Sequence, residues 1–265
     1  MEKRNNKKVI LTGIKPTGIL HLGNYAGAIS QLLNIQKNVD TNDDIFLMMA
    51  DLHALTTIED AKNIKNNTLL IASLMMAIGI DPKRIIMFVQ SHIPEHLELS
   101  MLLGTITSKS LLELNPVYKE VKEENQKINT IGLLNYPVLQ AADILLYNTT
   151  HVPVGKDQLP HIEITREIAR RFNNKFGTTF IEPKEIIQKE SKILSLQDSS
   201  KKMSKSHSND SYISLLDSAD EVKKKILKAV TDSDKEIRYD SEEKPAISNL
   251  LLMFSLTSKK SIQTL

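Results

Sequence analysis

The sequence predicts an α/β fold with a doubly wound parallel sheet, a helical insertion and a helical C-terminal part. Short apolar runs bounded by polar or turn residues alternate with segments whose apolar residues recur at helical spacing. The runs are apolar throughout, as strands of a parallel sheet are when helices cover both faces. We therefore expect a Rossmann-like arrangement in which crossover helices join parallel strands.

Five apolar runs are the predicted strands. They are KVILTG (8–13), DIFLMMAD (44–51), RIIMFVQ (84–90), HVPVG (151–155) and KILSL (192–196). Residues 61–80 have helical spacing, and helical patterns from Pro94 to Arg171 indicate an insertion at about 95–150. Ser218 and Glu221 have the spacing of a capping box. We expect a catalytic domain over 1–200, and over 201–265 a basic loop and the start of a helical domain.

Composition excludes several classes of protein. The 265 residues carry a formal net charge of +2 and include no cysteine, so disulfides and thiolate zinc sites are excluded. The histidines lack metal-site spacing, and we expect no protein-held metal. The longest apolar stretch, 69–80, is shorter than the roughly 20 residues of a membrane helix. The basic N-terminus lacks a signal-peptide core, so we expect a cytoplasmic protein without membrane contact.

The stretch LTGIKPTGILHLGNYAGAI (11–29) places a Lys-Pro-Thr-Gly turn after the first strand and before a helix. Ligands of open parallel sheets bind at the carboxyl ends of the strands, and a helix N-terminus there suits phosphate. Gly23 would let a nucleotide approach the backbone, with His21 and Asn24 facing phosphate oxygens. The G-x-G-x-x-G pattern is absent, and an ordinary βα turn explains this stretch equally well.

A second motif, KKMSKS (201–206), lies in a polar loop after the KILSL run. Lys202 and Lys205 would place cations on a polyphosphate, Ser204 and Ser206 would donate hydroxyl hydrogen bonds, and Met203 would pack beside an adenine. A basic, serine-rich loop is also typical of ordinary solvated surface. Its place after a late strand of the sheet favours the phosphate-binding interpretation.

HLGN (21–24) and KMSKS (202–206) together resemble the two signatures of class I aminoacyl-tRNA synthetases. HLGN is a variant of the HIGH signature, and KMSKS matches the second signature letter for letter. Residues 135–173, 192–206 and 229–251 are similar to tryptophanyl-tRNA synthetases, and the similarity runs from Leu11 to the end. The resemblance implies activation of tryptophan with ATP and Mg²⁺, transfer to tRNA(Trp), and a homodimer.

The resemblance also implies two groups of site residues. The ATP-binding residues would be Lys15, Pro16, Thr17, His21, Gly23, Asn24, Gly155, Lys156, Asp157, Ile193, Lys202, Met203, Ser204, Lys205 and Ser206. Asn24, Lys202, Ser204 and Lys205 among them would act in catalysis. Asp143 in AADILLY would accept the indole N–H, since a buried carboxylate needs a partner. The remaining tryptophan-binding residues would be Tyr136, Leu11, Gly13, His53, Val152, Val154 and Gln158.

Two departures from the family pattern and several alternatives remain. Lys15 stands where some relatives have a neutral glutamine, and family members continue past SIQTL with anticodon-recognising helices, so we expect a shortened C-terminal part. A nucleotidylyltransferase shares the HIGH-like turn, but KMSKS and AADILLY argue against it. A non-catalytic regulatory protein that binds tryptophan or tRNA is a further alternative, and a tyrosine-specific relative is the nearest competitor in the same class.

Overall fold

The computed structural model describes residues 7–56, 61–115, 118, 130–187, 192–205, 207–234, 236–258 and 260–264. The chain divides into two compact units. The first combines residues 1–17 with 32–188, and the second combines 18–31 with 189–265. Each unit therefore draws on two separate parts of the sequence.

One parallel sheet lies in the first unit, and within the described residues it has five strands. They are β1 (Val9–Ile14), β2 (Asp44–Met49), β3 (Ile86–Val89), β4 (His151–Val154) and β5 (Lys184–Ile187). Their order is β3-β2-β1-β4-β5, and every pairing is parallel. This sheet confirms the predicted α/β, Rossmann-like fold.

Helices lie between the strands along the chain and follow the last of them. They are α1 (Leu22–Asn24), α2 (Ser30–Asn38), α3 (Asp51–Ala54), α4 (Ile64–Ile78), α5 (Glu95–Gly104), α6 (Lys109–Leu112), α7 (Ile131–Leu145), α8 (Leu159–Phe176), α9 (Ala219–Leu227) and α10 (Pro245–Ser258). A π-helical turn, Tyr25–Ile29, separates α1 from α2. Helices α5, α6 and α7 fall in the segment predicted as a helical insertion. No helix in the described ranges is long and apolar enough to cross a membrane.

The prediction of a fifth strand at KILSL is wrong. In this run only Leu194 makes a strand-like bridge, antiparallel to Lys202, so KILSL is one side of a short hairpin in the second unit. Ile193 and Leu196 are buried in that unit's own core. The fifth strand of the sheet is instead β5, whose sequence KEII is not an apolar run and so did not predict a strand.

The strand order identifies the edge where a ligand is expected. The connection from β1 leads to β2 on one side, whereas β4 leads to β5 on the other. Open α/β sheets bind ligands at the carboxyl ends of strands where the order reverses in this way. Residues 15–17 follow β1 and residues 155–157 follow β4, so these two predicted groups leave neighbouring strands at this edge.

The second unit is built on a small core of its own. Leu22, Ala26, Met203, Ile213 and Met253 are among its buried members. Helix α9 begins at the predicted capping box, because Ser218 Oγ accepts from the Glu221 N–H at 3.3 Å and Glu221 Oε2 accepts from the Ser218 N–H at 2.8 Å.

One side chain of α10 fixes the hairpin. Asn249 Oδ1 accepts from the Leu194 N–H at 2.8 Å, and Asn249 Nδ2 donates to the Leu194 carbonyl at 3.0 Å. Both backbone groups of Leu194 are therefore paired by one buried amide.

Candidate active site

Helix α7 carries Asp143 into the interior of the first unit. Thr130 caps the N-terminus of this helix, because its Oγ1 accepts from the Leu133 N–H at 3.2 Å. Asp143 is the one charged residue within the helix. Its neighbours Ala141, Ala142, Ile144 and Leu145 are buried, and Asp143 itself is 1% exposed. A carboxylate in such surroundings is stable only when its oxygens are hydrogen-bonded.

Three side chains supply these hydrogen bonds. His53 Nε2 lies 2.8 Å from Asp143 Oδ2, and His96 Nδ1 lies 2.7 Å from Oδ1. Gln90 Nε2 donates to both oxygens, at 2.8 and 2.9 Å. Burial raises the pKa of Asp143, but the bonds to His53, His96 and Gln90 outweigh it, and the pKa lies below its usual value. Asp143 is therefore an anion at neutral pH.

Tyr147 extends this cluster. Its hydroxyl lies 2.9 Å from His96 Nε2, so both ring nitrogens of His96 are engaged. Burial, followed by the negative charges of Asp143 and Glu95, raises the pKa of Tyr147 to about 12. Because the Asp143 carboxylate can only accept, His96 donates to it from Nδ1, and the Tyr147 hydroxyl is hydrogen-bonded to the other ring nitrogen.

Tyr136 begins a second chain of hydrogen bonds next to the first. Its hydroxyl accepts from Asn115 Nδ2 at 2.8 Å and lies 2.5 Å from His161 Nε2. Its ring contacts that of His53 edge-on, with centroids 6.4 Å apart, and Lys15 Nζ lies 5.8 Å from its centroid. Burial, with a smaller effect of the Lys15 charge, lowers the pKa of His161, so this ring is neutral at neutral pH.

The apolar residues predicted to bind tryptophan lie in one cluster. Leu11 of β1, Val152 and Val154 of β4, and Ile144 of α7 are all buried members of it. Since Ile144 adjoins Asp143 in the helix, this apolar surface and the anion belong to the same part of the first unit. Gly13 lies in β1 beside Met48, whose Cε would be 3.3 Å from an added Cβ.

The residues after β4 form a tight turn at the ligand edge of the sheet. A Cβ on Gly155 would lie 2.5 Å from Asp157 Oδ1, so that carboxylate would have to move if this position carried a side chain. Gln158 Nε2 donates to Asp157 Oδ2 at 2.8 Å. Lys156 and Asp157 are exposed, and after β1 Pro16 is buried.

The HLGN motif lies in the second unit and folds on itself. Asn24 Oδ1 accepts from the His21 N–H at 3.0 Å, and the Leu22 N–H donates to the Ile213 carbonyl at 2.9 Å. A Cβ on Gly23 would lie 3.0 Å from the His21 ring. His21 is buried, and its Nδ1 has no hydrogen-bond partner in the described part of the chain.

Burial and nearby positive charges keep the His21 ring neutral. Burial, together with the positive charges of Lys205 and Lys202, lowers the pKa of His21 to about 4. The HLGN and KMSKS motifs are therefore close enough within the second unit to act on one another electrically.

The KMSKS segment is the second side of the short hairpin. The Met203 N–H donates to the Ile193 carbonyl and the Ser195 N–H to the Lys201 carbonyl, both at 2.9 Å. Met203 and Ile193 are buried, whereas Lys202 and Lys205 are exposed. Ser204 is half-buried, and Ser206 lies outside the described residues.

Gly18 lies next to the end of the Lys205 side chain. Its φ of +130° favours glycine, and an added Cβ would approach Lys205 Nζ to 2.9 Å. The predicted ATP-binding residues thus occur in both units: one group follows β1 and β4, and the other lies in HLGN and the hairpin. Their assignment to ATP stays a prediction.

Sequence reasoning missed Gln90, His96 and Tyr147, although they surround Asp143. Gln90 directly follows β3, so the strand-end rule that singled out Lys15 also applies to it. His96 lies on α5, and no local pattern marks it. Tyr147 follows α7 and lies four positions after Asp143, which is helical spacing. The contact between His96 and Tyr147 becomes evident only when α5 and α7 pack together.

Comparisons with known proteins agree with the fold and with the motifs. A sequence model of the family described as tRNA synthetases class I (W and Y) matches residues 3–265. The tryptophan--tRNA ligase of Caldanaerobacter subterraneus subsp. tengcongensis is 47% identical over 251 residues, which are 94% of this chain and 75% of that protein.

Solved structures show the same relationship. The tryptophanyl-tRNA synthetase of Campylobacter jejuni complexed with ADP and tryptophan is 35% identical with a TM-score of 0.80, over 95% of this chain and 78% of that one. The tryptophanyl-tRNA synthetase of Mycoplasma pneumoniae is 34% identical with a TM-score of 0.80, over 97% of this chain and 76% of that one. The chain therefore belongs to the tryptophanyl-tRNA synthetases, a family of class I aminoacyl-tRNA synthetases.

Proposed function

We propose that this chain activates tryptophan with ATP and transfers it to tRNA(Trp). In the first step the tryptophan carboxylate attacks the α-phosphorus of ATP, which forms tryptophanyl-adenylate and releases pyrophosphate. In the second step a ribose hydroxyl of the terminal adenosine attacks the carbonyl carbon of the adenylate and releases AMP. Both steps require stabilisation of developing charge more than a protein nucleophile.

The observation that carries the proposal is the buried anion on α7. Indole presents a flat apolar surface and one N–H donor, so it needs apolar walls and one acceptor. Asp143 is anionic, and Leu11, Val152 and Val154 lie in the adjoining apolar cluster. A phenyl ring offers no donor, so it gains no hydrogen bond from this buried anion.

The polar end of tryptophan fits the residues around Tyr136. The α-amino and α-carboxylate groups both need polar partners, and Tyr136 borders the Asp143 cluster through His53. Lys15 places a cation over the ring of Tyr136, 5.8 Å from its centroid, where a substrate carboxylate would be attracted. Gln158 follows the neighbouring strand end and is a further partner.

Lys202 and Lys205 are suited to the phosphates. Both are exposed cations on a hairpin whose backbone is fixed by hydrogen bonds. Charge builds up on the leaving pyrophosphate, and positioned cations lower the energy of that state. No group of three acidic or histidine side chains suited to a metal occurs among the described residues. We expect Mg²⁺ to enter with ATP, held by its phosphates and water, and we assign it no step.

Pyrophosphate exchange into ATP, measured with each proteinogenic amino acid, tests the activation step. We expect exchange with tryptophan, and rejection of phenylalanine and tyrosine by at least about a thousandfold in kcat/KM, because the site is built for an N–H donor. Exchange driven by tyrosine would contradict the proposed specificity. Tryptophan binding without exchange would favour a non-catalytic protein.

Transfer to tRNA(Trp) and assembly as a homodimer are proposed from membership of the family. Aminoacylation of a tRNA(Trp) transcript tests the transfer, with a tRNA(Tyr) transcript as the control. Analytical ultracentrifugation gives the mass of the particle. A monomer that is fully active at all concentrations would contradict the dimer.

A further inference from the structure

The carboxylate of Asp143 is more crowded than recognition of one indole N–H requires. Its four lone-pair directions are met by His53, His96 and the Gln90 amide, which touches both oxygens. With Asp143 only 1% exposed, an incoming N–H must replace one of these donors. The donors differ in how firmly the protein holds them.

His96 is the most firmly held. It is fully buried, its ring stacks on Phe88 with centroids 5.8 Å apart, and its Nε2 lies 2.9 Å from the Tyr147 hydroxyl. Because the carboxylate can only accept, Nδ1 carries a hydrogen and points at Asp143 Oδ1. The hydrogen bond to Tyr147 thus fixes the orientation of the ring.

Gln90 is held less firmly. Its amide nitrogen spans both carboxylate oxygens, while its Oε1 accepts from the His53 N–H at the long distance of 3.4 Å. A neutral amide that makes no other strong contact is the easiest donor to displace. Release of Gln90 would leave each oxygen of Asp143 with one histidine and one open direction.

We propose that His96, fixed by Tyr147, is a positioning residue that holds the Asp143 carboxylate for the indole N–H, and that this N–H takes the place of the Gln90 amide. The inference rests on the proposed tryptophan activation and adds residues to it. His96 does not touch the substrate. Its effect is on how strongly the enzyme prefers a substrate that has an N–H.

The test compares tryptophan with its isostere 3-benzothienylalanine, in which sulfur replaces the N–H. The ratio of their kcat/KM values, measured by pyrophosphate exchange on one preparation, is unaffected by loss of folded enzyme. We expect the His96→Leu variant to lower this ratio at least about tenfold, because the carboxylate loses a fixed donor. His96→Asn, whose Nδ2 can occupy the place of Nδ1, should retain most of the preference.

The acid side of the pH profile gives a second readout. The titratable groups that act on Asp143 are His53 on α3, His96 on α5 and, through His96, Tyr147 after α7. Removing His96 takes away a hydrogen bond that favours the anion, so burial raises the pKa of Asp143. As the pH falls below neutral, the KM for tryptophan should therefore rise more steeply in His96→Leu than in the wild type.

An unchanged ratio and a flat profile in an active His96→Leu variant would overturn the inference. If His96→Leu does not fold, Tyr147→Phe decides: a ratio lowered by about threefold or more supports the inference, and the wild-type ratio overturns it. A wild type without tryptophan-dependent exchange would overturn the proposed function and this inference together. A normal wild type with insensitive variants overturns the inference alone.

Discussion

The Asp143 cluster in the first unit and the KMSKS hairpin in the second treat charge in opposite ways. Asp143 is buried with every oxygen paired, whereas Lys202 and Lys205 are exposed on a hairpin whose backbone is held by hydrogen bonds. A site that distinguishes substrates needs an acceptor removed from water, because only then is a missing donor costly. Cations that act on the phosphates of a substrate must instead be accessible from solvent.

The histidines of the two regions differ for the same reason. His53 and His96 face an anion, which they stabilise, while His21 lies near the positive charges of Lys205 and Lys202. The first arrangement holds Asp143 ionised, and the second holds His21 neutral. At His21 the neighbouring lysines thus add to the effect of burial, whereas at Asp143 the histidines act against it.

The largest effect should come from Asp143→Asn. The amide's NH₂ replaces one carboxylate oxygen, so it opposes the donor of either His53 or His96 as well as the Gln90 amide, and each mispaired buried group is costly. We expect kcat/KM for tryptophan to fall about 100-fold and the free energy of unfolding to fall by about 2–4 kcal/mol. Steady-state kinetics and urea unfolding measure the two quantities.

Glu98→Gln is the matched control, because it removes an exposed carboxylate from α5, the helix that also carries His96. It should change neither kinetics nor unfolding by more than about 0.5 kcal/mol. If Asp143→Asn kept the wild-type selectivity, Asp143 would not be the indole acceptor. The two regions would then not differ in the way described above.

Lys205→Ala should reduce the rate without reducing stability. The side chain is exposed, so its loss leaves the core intact, but one cation no longer meets the pyrophosphate. We expect kcat to fall about 10- to 100-fold with an unchanged KM for tryptophan, and unfolding to change by less than about 0.5 kcal/mol. Pre-steady-state measurement of adenylate formation gives the rate.

Lys201→Ala is the control for Lys205→Ala. Lys201 is an exposed lysine of the same hairpin that pairs with Asp198 at 3.0 Å and precedes the signature. Its loss should leave the rate near the wild-type value. If both variants were equally slow, the hairpin would act through its overall charge and not through a positioned lysine.

The last effect is absent at neutral pH and concerns the pH dependence of stability. The pKa of His21 is about 4 in the folded chain and near 6.5 when unfolded, so the unfolded state binds its proton first. The stability associated with neutral His21 is complete above about pH 6.5 and is lost towards pH 4, by about 1 kcal/mol per unit. Urea unfolding of the wild type and of His21→Gln should diverge only below about pH 6.5. Parallel curves at every pH would mean that the ring is not held neutral by burial and the lysines.

The sequence indicated most of the fold because buried parallel strands are uniformly apolar. Four of the predicted runs overlap β1 to β4, and only β1 extends beyond its run, by one residue to Ile14. KILSL misled because an apolar run reports burial and not membership of a sheet, and its residues are buried in the core of the second unit. KEII was missed because it is an edge strand with Lys184 and Ile187 exposed, so its pattern lacks an apolar run.

The site divides in the same way. Asp143 stood out in the sequence because a carboxylate in an apolar helix needs an explanation. His96 and Tyr147 lie 47 and 4 positions from Asp143 along the chain, and their shared role depends on the packing of α5 against α7. Pairing of side chains across elements leaves no local signal, so His96 could not be found before the fold was known, whereas the helical spacing of Tyr147 from Asp143 could have singled it out.

The amide of Asn249 gives the hairpin a property that hydrogen exchange can detect. The Leu194 N–H is paired with a side chain of α10 and not with another strand. The Leu194 proton can exchange with solvent only when its hydrogen bond to the Asn249 side chain breaks or when the local structure opens. The exchange rate at Leu194 therefore reports how often the KMSKS hairpin separates from α10. It can be measured without any substrate present.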